Sequence, residues 1–260
     1  MLQNKNVLVT GSTSGIGHGV ARSLAEAGCN VVLNGSRSSE RAENLRQELE
    51  TDFKVKVLYK QADLQDYKKA EEVVHEVAEE LGSLDILVNN AGIQHVSPVE
   101  EFPVDKWQAI VNLNLNAAFY MIRSTVPLMK GQGWGRIVNI ASAHALVASP
   151  HKAAYVAAKH GLAGLTKTVA LELAEHGITC NAICPGYVKT PLVENQIADS
   201  AKSRGISEEE VVRDVMLAAQ RTKQFTAIED IGAMAVYLCS DAAQNITGSM
   251  LSIDGGWTAH

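Results

Sequence analysis

The chain has 260 residues, of which 46% are hydrophobic and 20% charged, ordinary proportions for a globular protein. A formal net charge of −6 argues against a nucleic-acid or membrane-surface role. No run of eighteen apolar residues and no charged-then-apolar leader appears, so a cytoplasmic protein without a membrane partner is expected.

Residues 6–10 form an apolar run too short for a helix. T-G-S-T-S-G-I-G follows at 10–17, then a helical pattern through Ala27. Strand, glycine-rich turn and helix in that order are the context of a dinucleotide site. Gly11 would permit the tight turn, Gly15 would let the backbone approach a pyrophosphate, and Gly17 would allow close helix packing. The helix amino terminus would offer free N–H groups and a positive dipole. His18 is expected on the exposed helix surface rather than as a ligand.

A second strand at 31–34 runs into Gly35-Ser36-Arg37-Ser38. An acid about twenty residues after the glycines would grip the ribose of NAD, and a nearby arginine the 2′-phosphate of NADP. This turn offers neither a clean acid nor an arginine immediately after the strand. Arg37 is either a phosphate clamp or a solvated loop charge, and the motif leaves both cofactors open.

Residues 40–51 are charged and helical, and 55–59 form the third strand, which exits through Ala62-Asp63-Leu64. A carboxylate there can accept a hydrogen bond from an adenine amino group. A second charged-face helix spans 65–81. D-I-L-V-N-N-A-G at 85–92 is the fourth strand, where Asn89 and Asn90 can stitch neighbouring strands and Gly92 lets the backbone pass close to a ribose. The helix at 107–121 bears Asn112, Asn114 and Asn116. Asparagine is unfavourable in mid-helix, and Asn114 is expected to face the crevice.

The strand at 136–140 leads to Ser142, just past its carboxyl end, where open parallel sheets bind ligands. On the alanine-rich helix that follows, Tyr155 and Lys159 are four apart and share a face. Lys152 falls on nearly the same face, one turn earlier. A tyrosine with a pKa near ~10 is a poor base at neutral pH. A nearby ammonium favours the phenolate and brings it toward a useful range, while Ser142 would hold a carbonyl or hydroxyl oxygen.

The helix continues through Glu175 to a sixth strand at 179–183. Cys29, Cys180, Cys184 and Cys239 show neither zinc spacing nor a disulfide framework, so no metal is expected. Cys180 and Cys184 read as core thiols. P-G-Y-V-K-T at 185–190 closes the strand, and Thr190 could hold a cofactor amide. Residues 191–217 are polar, with two helical pieces broken near Gly205 and few apolar anchors, and read as a mobile lid. A helix at 229–240, a last strand at 250–253 and the tail D-G-G-W-T-A-H complete the chain. With no linker, repeat or low-complexity segment, residues 1–260 read as a single domain.

Together, T-G-x-x-x-G-x-G at 10–17, N-N-A-G at 89–92, Ser142, Tyr155 with Lys159, and P-G-x-V-x-T at 185–190 resemble the short-chain dehydrogenase/reductase family along the whole chain. The resemblance implies an α/β, doubly wound Rossmann fold whose seven-stranded parallel sheet is flanked by helices. It implies an oxidoreductase, most often a homotetramer. Tyr155 would be the acid/base and Ser142 would orient the substrate oxygen. Lys159 would lower the tyrosine pKa and bind the nicotinamide ribose, and Asn114 would hold a water in the proton relay. Gly11, Thr13, Gly15, Ile16 and Gly17 would bind the cofactor. So would Ser36, Asp63, Leu64, Asn90 and Gly92, with Tyr155, Lys159, Pro185, Val188 and Thr190.

Within the family, I-Q-H after N-N-A-G, A-S-A-H-x-L-V-A-S, and D-G-G-W-T-A are similar to a bacterial branch that interconverts D-3-hydroxybutyrate and acetoacetate with NAD. That likeness implies a small 3-hydroxy acid as substrate, with Gln94, His144, Lys152 and Gln196 around its carboxylate and Trp257 in the same pocket. Lys152 and His144 form a cationic pair suited to a free carboxylate. This speaks against an NADP-dependent 3-oxoacyl-carrier-protein reductase, which shares the core motifs. A non-enzymatic dinucleotide sensor would not need the intact Asn114, Ser142, Tyr155 and Lys159. Tyr187 stands where relatives often carry tryptophan.

Overall fold

The structure, a computed structural model, describes residues 2–37 and 40–259, so Ser38 of the turn after the second strand and His260 of the tail lie outside the described residues. The short apolar runs become β1 (Asn6–Val9), β2 (Asn30–Gly35), β3 (Val57–Gln61), β4 (Ile86–Asn89), β5 (Gly135–Ile140), β6 (Ile178–Pro185) and β7 (Met250–Ile253). They pair in parallel throughout, in the order β3-β2-β1-β4-β5-β6-β7. The order reverses between β1 and β4, the switch point beside which open α/β sheets bind ligands.

Parallel strands covered on both faces read as continuous apolar runs, and β1, β4, β5 and β6 are buried at every position. Successive side chains alternate between two cores. Val7, Val9, Val31 and Leu33 pack with α1 (Gly15–Glu26), α2 (Glu40–Phe53) and α9 (Ile228–Cys239) through Leu24, Leu49 and Leu238. Leu8, Val32, Leu87 and Ile137 pack on the other face against α3 (Tyr67–Leu81), α5 (Ala117–Gln132) and α6 (Ala153–Leu173) through Val74, Met121 and Leu173. The doubly wound, single-sheet architecture agrees with the sequence reading.

Three departures have local causes. Lys54 turns the chain at φ 56, so β3 starts at Val57 rather than residue 55. The asparagine helix is longer than expected and interrupted. It comprises α4 (Val104–Val111), a π-helical turn at Asn112–Asn116, and α5. The extra residue in a π turn re-aims one side chain, and here Asn114 is the buried one. Finally, the segment after β6 contains α7 (Pro191–Arg204), ended by Gly205 at φ 67, and α8 (Glu208–Glu210) running into a π turn at Val211–Met216. Its two pieces break where expected. Yet Val193, Ile197, Val211 and Met216 form a small core of their own with Tyr187 and Phe225 against it, so the segment has more apolar anchorage than its composition suggests.

Candidate active site

Above the carboxyl ends of β1, β2 and β4 lies a cleft of about 640 Å³. Its floor is the turn after β1. Gly11 adopts φ +59, and a Cβ there would come within 2.9 Å of Ala91 Cα. A Cβ on Gly17 would collide with the Asn90 amide and lie 2.6 Å from the Gly11 carbonyl. Gly17 therefore packs rather than lining the cleft. Asn90 Nδ2 donates to the Thr10 and Gly11 carbonyls at 2.9 and 3.0 Å, fixing β4 to the turn. Ser14, the N-cap of α1, makes no side-chain cap bond among the described residues. The first N–H groups of α1 are thus left for an anionic ligand. A backbone cradle that excludes side chains beneath a helix amino terminus fits a dinucleotide pyrophosphate.

Thr13, Gly15, Ile16, Ser36, Asp63, Leu64, Asn90, Gly92, Tyr155, Lys159 and Thr190 line the same cleft, as does Arg37. Asp63 is the one acid lining it among the described residues, and its carboxylate accepts from the Gln65 N–H at 3.1 Å. Pro185 and Val188 instead line the smaller chamber next door. His18 is half-buried rather than exposed, and burial lowers its pKa.

The second chamber, of about 80 Å³, brings together Gln94, Ser142, His144, Lys152, Tyr155, Gln196 and Trp257 from distant parts of the chain. Tyr155, Ile16, Ala141 and Thr190 line both spaces, so the phenol stands at their junction. Ser142 caps a 3-10 turn at Ala143–Ala145 and accepts the His144 N–H at 3.1 Å. Its hydroxyl also lies near enough to the Tyr155 phenol to favour the phenolate. The C-terminal turn delivers Trp257. Asp254 accepts from the Gly256 and Thr258 N–H groups at 3.0 and 2.9 Å, and Gly255 and Gly256 take φ +60 and +80. The indole meets His144 edge-on at 4.9 Å between ring centres.

Four expectations about these groups need adjustment. Lys152 does lie one turn before Tyr155 and shares its chamber, but it caps the helix rather than standing within it. It is the N-cap of α6, at φ −125, and is almost fully buried. His144 is not a cation, because burial and the nearby Lys152 ammonium push its pKa down to about 3. Its ring nitrogens lie 3.4 Å from the Ser142 hydroxyl and 2.8 Å from the Ser149 hydroxyl, so it supports the serine rather than adding charge. The Tyr155 phenol is pushed up to about 12, not down, because burial outweighs the influence of the Ser142 hydroxyl. Lys159 is itself held at about 8 by burial. Its ammonium donates to the Ile140 carbonyl at 2.7 Å and lies 5.6 Å from the Tyr155 ring centre. Fourth, both ends of the Asn114 amide are bonded to the Ile93 backbone at 2.9 Å. These two bonds fix the amide against the Ile93 backbone, leaving one N–H and one oxygen lone pair of the side chain over.

The residue that sequence reasoning left outside the site is Tyr187. It lines the chamber, and its hydroxyl accepts from Lys152 Nζ at 3.0 Å. The signals available were its position two residues past β6 and the tryptophan that relatives often carry there.

The family model for short chain dehydrogenases matches residues 5–201. A D-beta-hydroxybutyrate dehydrogenase of Rhizobium meliloti (strain 1021) is 53% identical over 255 residues, covering 98% of this chain and 99% of that one. Another from Cupriavidus necator (strain H16) is 46% identical over 259 residues, covering 100% of both. Among solved structures, actinorhodin polyketide ketoreductase with NADPH matches at a TM-score of 0.93 and 33% identity, over 99% of this chain and 98% of that one.

Proposed function

The chain belongs to the short-chain dehydrogenase family, and we propose that it interconverts D-3-hydroxybutyrate and acetoacetate by hydride transfer to and from NAD. The observation that carries this reading is the chamber itself. A buried lysine, two glutamines and a tryptophan surround a small space that shares Tyr155 with the dinucleotide cleft. Such a space suits a short acid whose carboxylate meets Lys152 while its C3 oxygen meets Ser142 and Tyr155. The names of the two relatives support the same substrate.

When bound, the nicotinamide ring supplies the acceptor and donor of hydride. The remaining work falls to the chain's own groups. In reduction, a Tyr155 phenol held neutral by burial gives its proton to the C3 oxygen, which Ser142 positions. In oxidation the phenol must first lose that proton and then take the one from the substrate hydroxyl. Burial opposes this and the Lys159 ammonium favours it. Oxidation should therefore quicken as pH rises, whereas reduction should hold steady through neutral pH. Lys159→Met removes the charge that favours the phenolate at pH below about 8, where Lys159 is still protonated, so the onset of oxidation shifts to higher pH. The alkaline limb of the oxidation profile should move upward by about one unit or more, and the KM for NAD should rise as ribose contacts are lost. An unchanged profile with intact cofactor affinity would make Lys159 a packing residue.

The 191–217 segment serves as the lid. Gln196 of α7 already reaches Gln94, with Nε2 of Gln94 3.4 Å from its Oε1. Exposed apolar side chains on α4, α5 and α6, including Trp107, Phe119 and Leu171, support a homotetramer. Four free, buried cysteines support a reducing, cytoplasmic setting. Among the described residues, no helix is long and apolar enough to cross a membrane.

Arg37 at the edge of the cleft favours a second reading, an NADP-dependent 3-oxoacyl-carrier-protein reductase. The enclosed lysine speaks for a free acid over a thioester. Cofactor reduction measured with NAD and NADP against a panel of short 3-hydroxy acids tests both. The expected result is NAD reduction with 3-hydroxybutyrate. Activity confined to NADP and thioesters would replace the first reading with the second.

A further inference from the structure

Tyr187 is anchored through both its backbone and its ring. The N–H of Gly186 donates to the Ile253 carbonyl at 2.9 Å. The Tyr187 N–H donates to the side chain of Gln220, which is fully buried. The Tyr187 carbonyl accepts from the Thr226 N–H at 2.9 Å. One face of its ring stacks on Trp257, at 5.3 Å and 10°, and the ring also packs against the apolar core of the lid. Lys152 Nζ stands 3.0 Å from the hydroxyl but 5.0 Å from the ring centre, so the contact is to the phenol oxygen rather than the ring face.

We propose that Tyr187 is a positioning residue for the substrate carboxylate, acting through Lys152. A lysine ammonium rides on a flexible four-carbon stem with rotatable donors, and ordering such a side chain on binding lowers affinity. A phenol oxygen fixed by its backbone, by Trp257 and by the lid core holds the ammonium in the chamber beforehand. The same ring joins lid, tryptophan and lysine into one unit. This rests on the reading of the chamber as a site for a short 3-hydroxy acid.

Because the carboxylate takes no part in bond making or breaking at C3, its contacts act alike in ground and transition states and show in KM rather than kcat. Tyr187→Phe keeps the ring, its stack and its packing, and loses only the oxygen. The KM for 3-hydroxybutyrate should rise about tenfold, the scale of a hydrogen bond to a charged group. The kcat should stay within about twofold and the KM for NAD should not change, the latter also reporting that the variant is folded. In a Lys152→Ala background the same substitution should cost nothing further, since the two side chains act as one. An unchanged substrate KM in Tyr187→Phe, or an equal cost in both backgrounds, would overturn the positioning role while leaving the substrate reading intact. A parent enzyme inert toward 3-hydroxybutyrate would overturn both.

Discussion

Tyr155→Phe should bind NAD as the parent does and lose about 10²–10⁴-fold in turnover, the usual cost of removing a general acid or base. Its ring packs with Ile110, Ala154 and Ala158 and meets His144 edge-on at 5.9 Å, and phenylalanine keeps those contacts. The substitution removes the oxygen at the junction of the two chambers and leaves Ser142 without its phenol partner. Under the proposed role the loss should appear in both directions, because the same oxygen would give the proton in reduction and receive it in oxidation. Turnover from cofactor absorbance and NAD affinity from titration of the purified variant separate chemistry from binding. Turnover within a few-fold of the parent would remove Tyr155 as the acid/base.

Strands and the glycine turn were legible because their signals are local. An apolar run followed by glycines and a helix can fold in few ways, and continuous apolar runs such as β1 and β4 need only helices on both faces. Proximity of the site residues was legible for the same reason. Ser142, Gln94 and Thr190 each sit just past a strand's carboxyl end, and all strands of a parallel sheet end on one side.

Burial was not legible, and burial decides the electrostatics. A spacing of four places Lys159 near Tyr155 but says nothing of how much water each loses. In the structure desolvation pushes the phenol up and the ammonium down, against the sign that spacing alone suggests. His144 is neutral for the same cause. Tertiary contacts were equally silent. Gln220 is a polar residue in a polar stretch, yet it is fully buried and accepts the Tyr187 N–H. Likewise, the asparagines on the interrupted helix signalled a function, but not the π turn that turns Asn114 onto Ile93.

Lys152→Ala should cost roughly 2–5 kcal/mol in kcat/KM for 3-hydroxybutyrate, the range for truncating one partner of a buried charge pair. Lys152 is 8% exposed, so its ammonium has given up most of its water, and a carboxylate is the occupant that compensates it best. With the carboxylate fixed there, only a short 3-hydroxy acid also places its C3 oxygen against Ser142 and Tyr155. NAD affinity should hardly move, since Lys152 lines the smaller chamber and not the dinucleotide cleft. The parent should strongly prefer the free acid to its methyl ester, and Lys152→Ala should lose that preference because the charge that read it is gone. Competition between acid and ester in both proteins measures this directly. Equal activity of the parent on the two would overturn the carboxylate site, and with it the identity of the substrate.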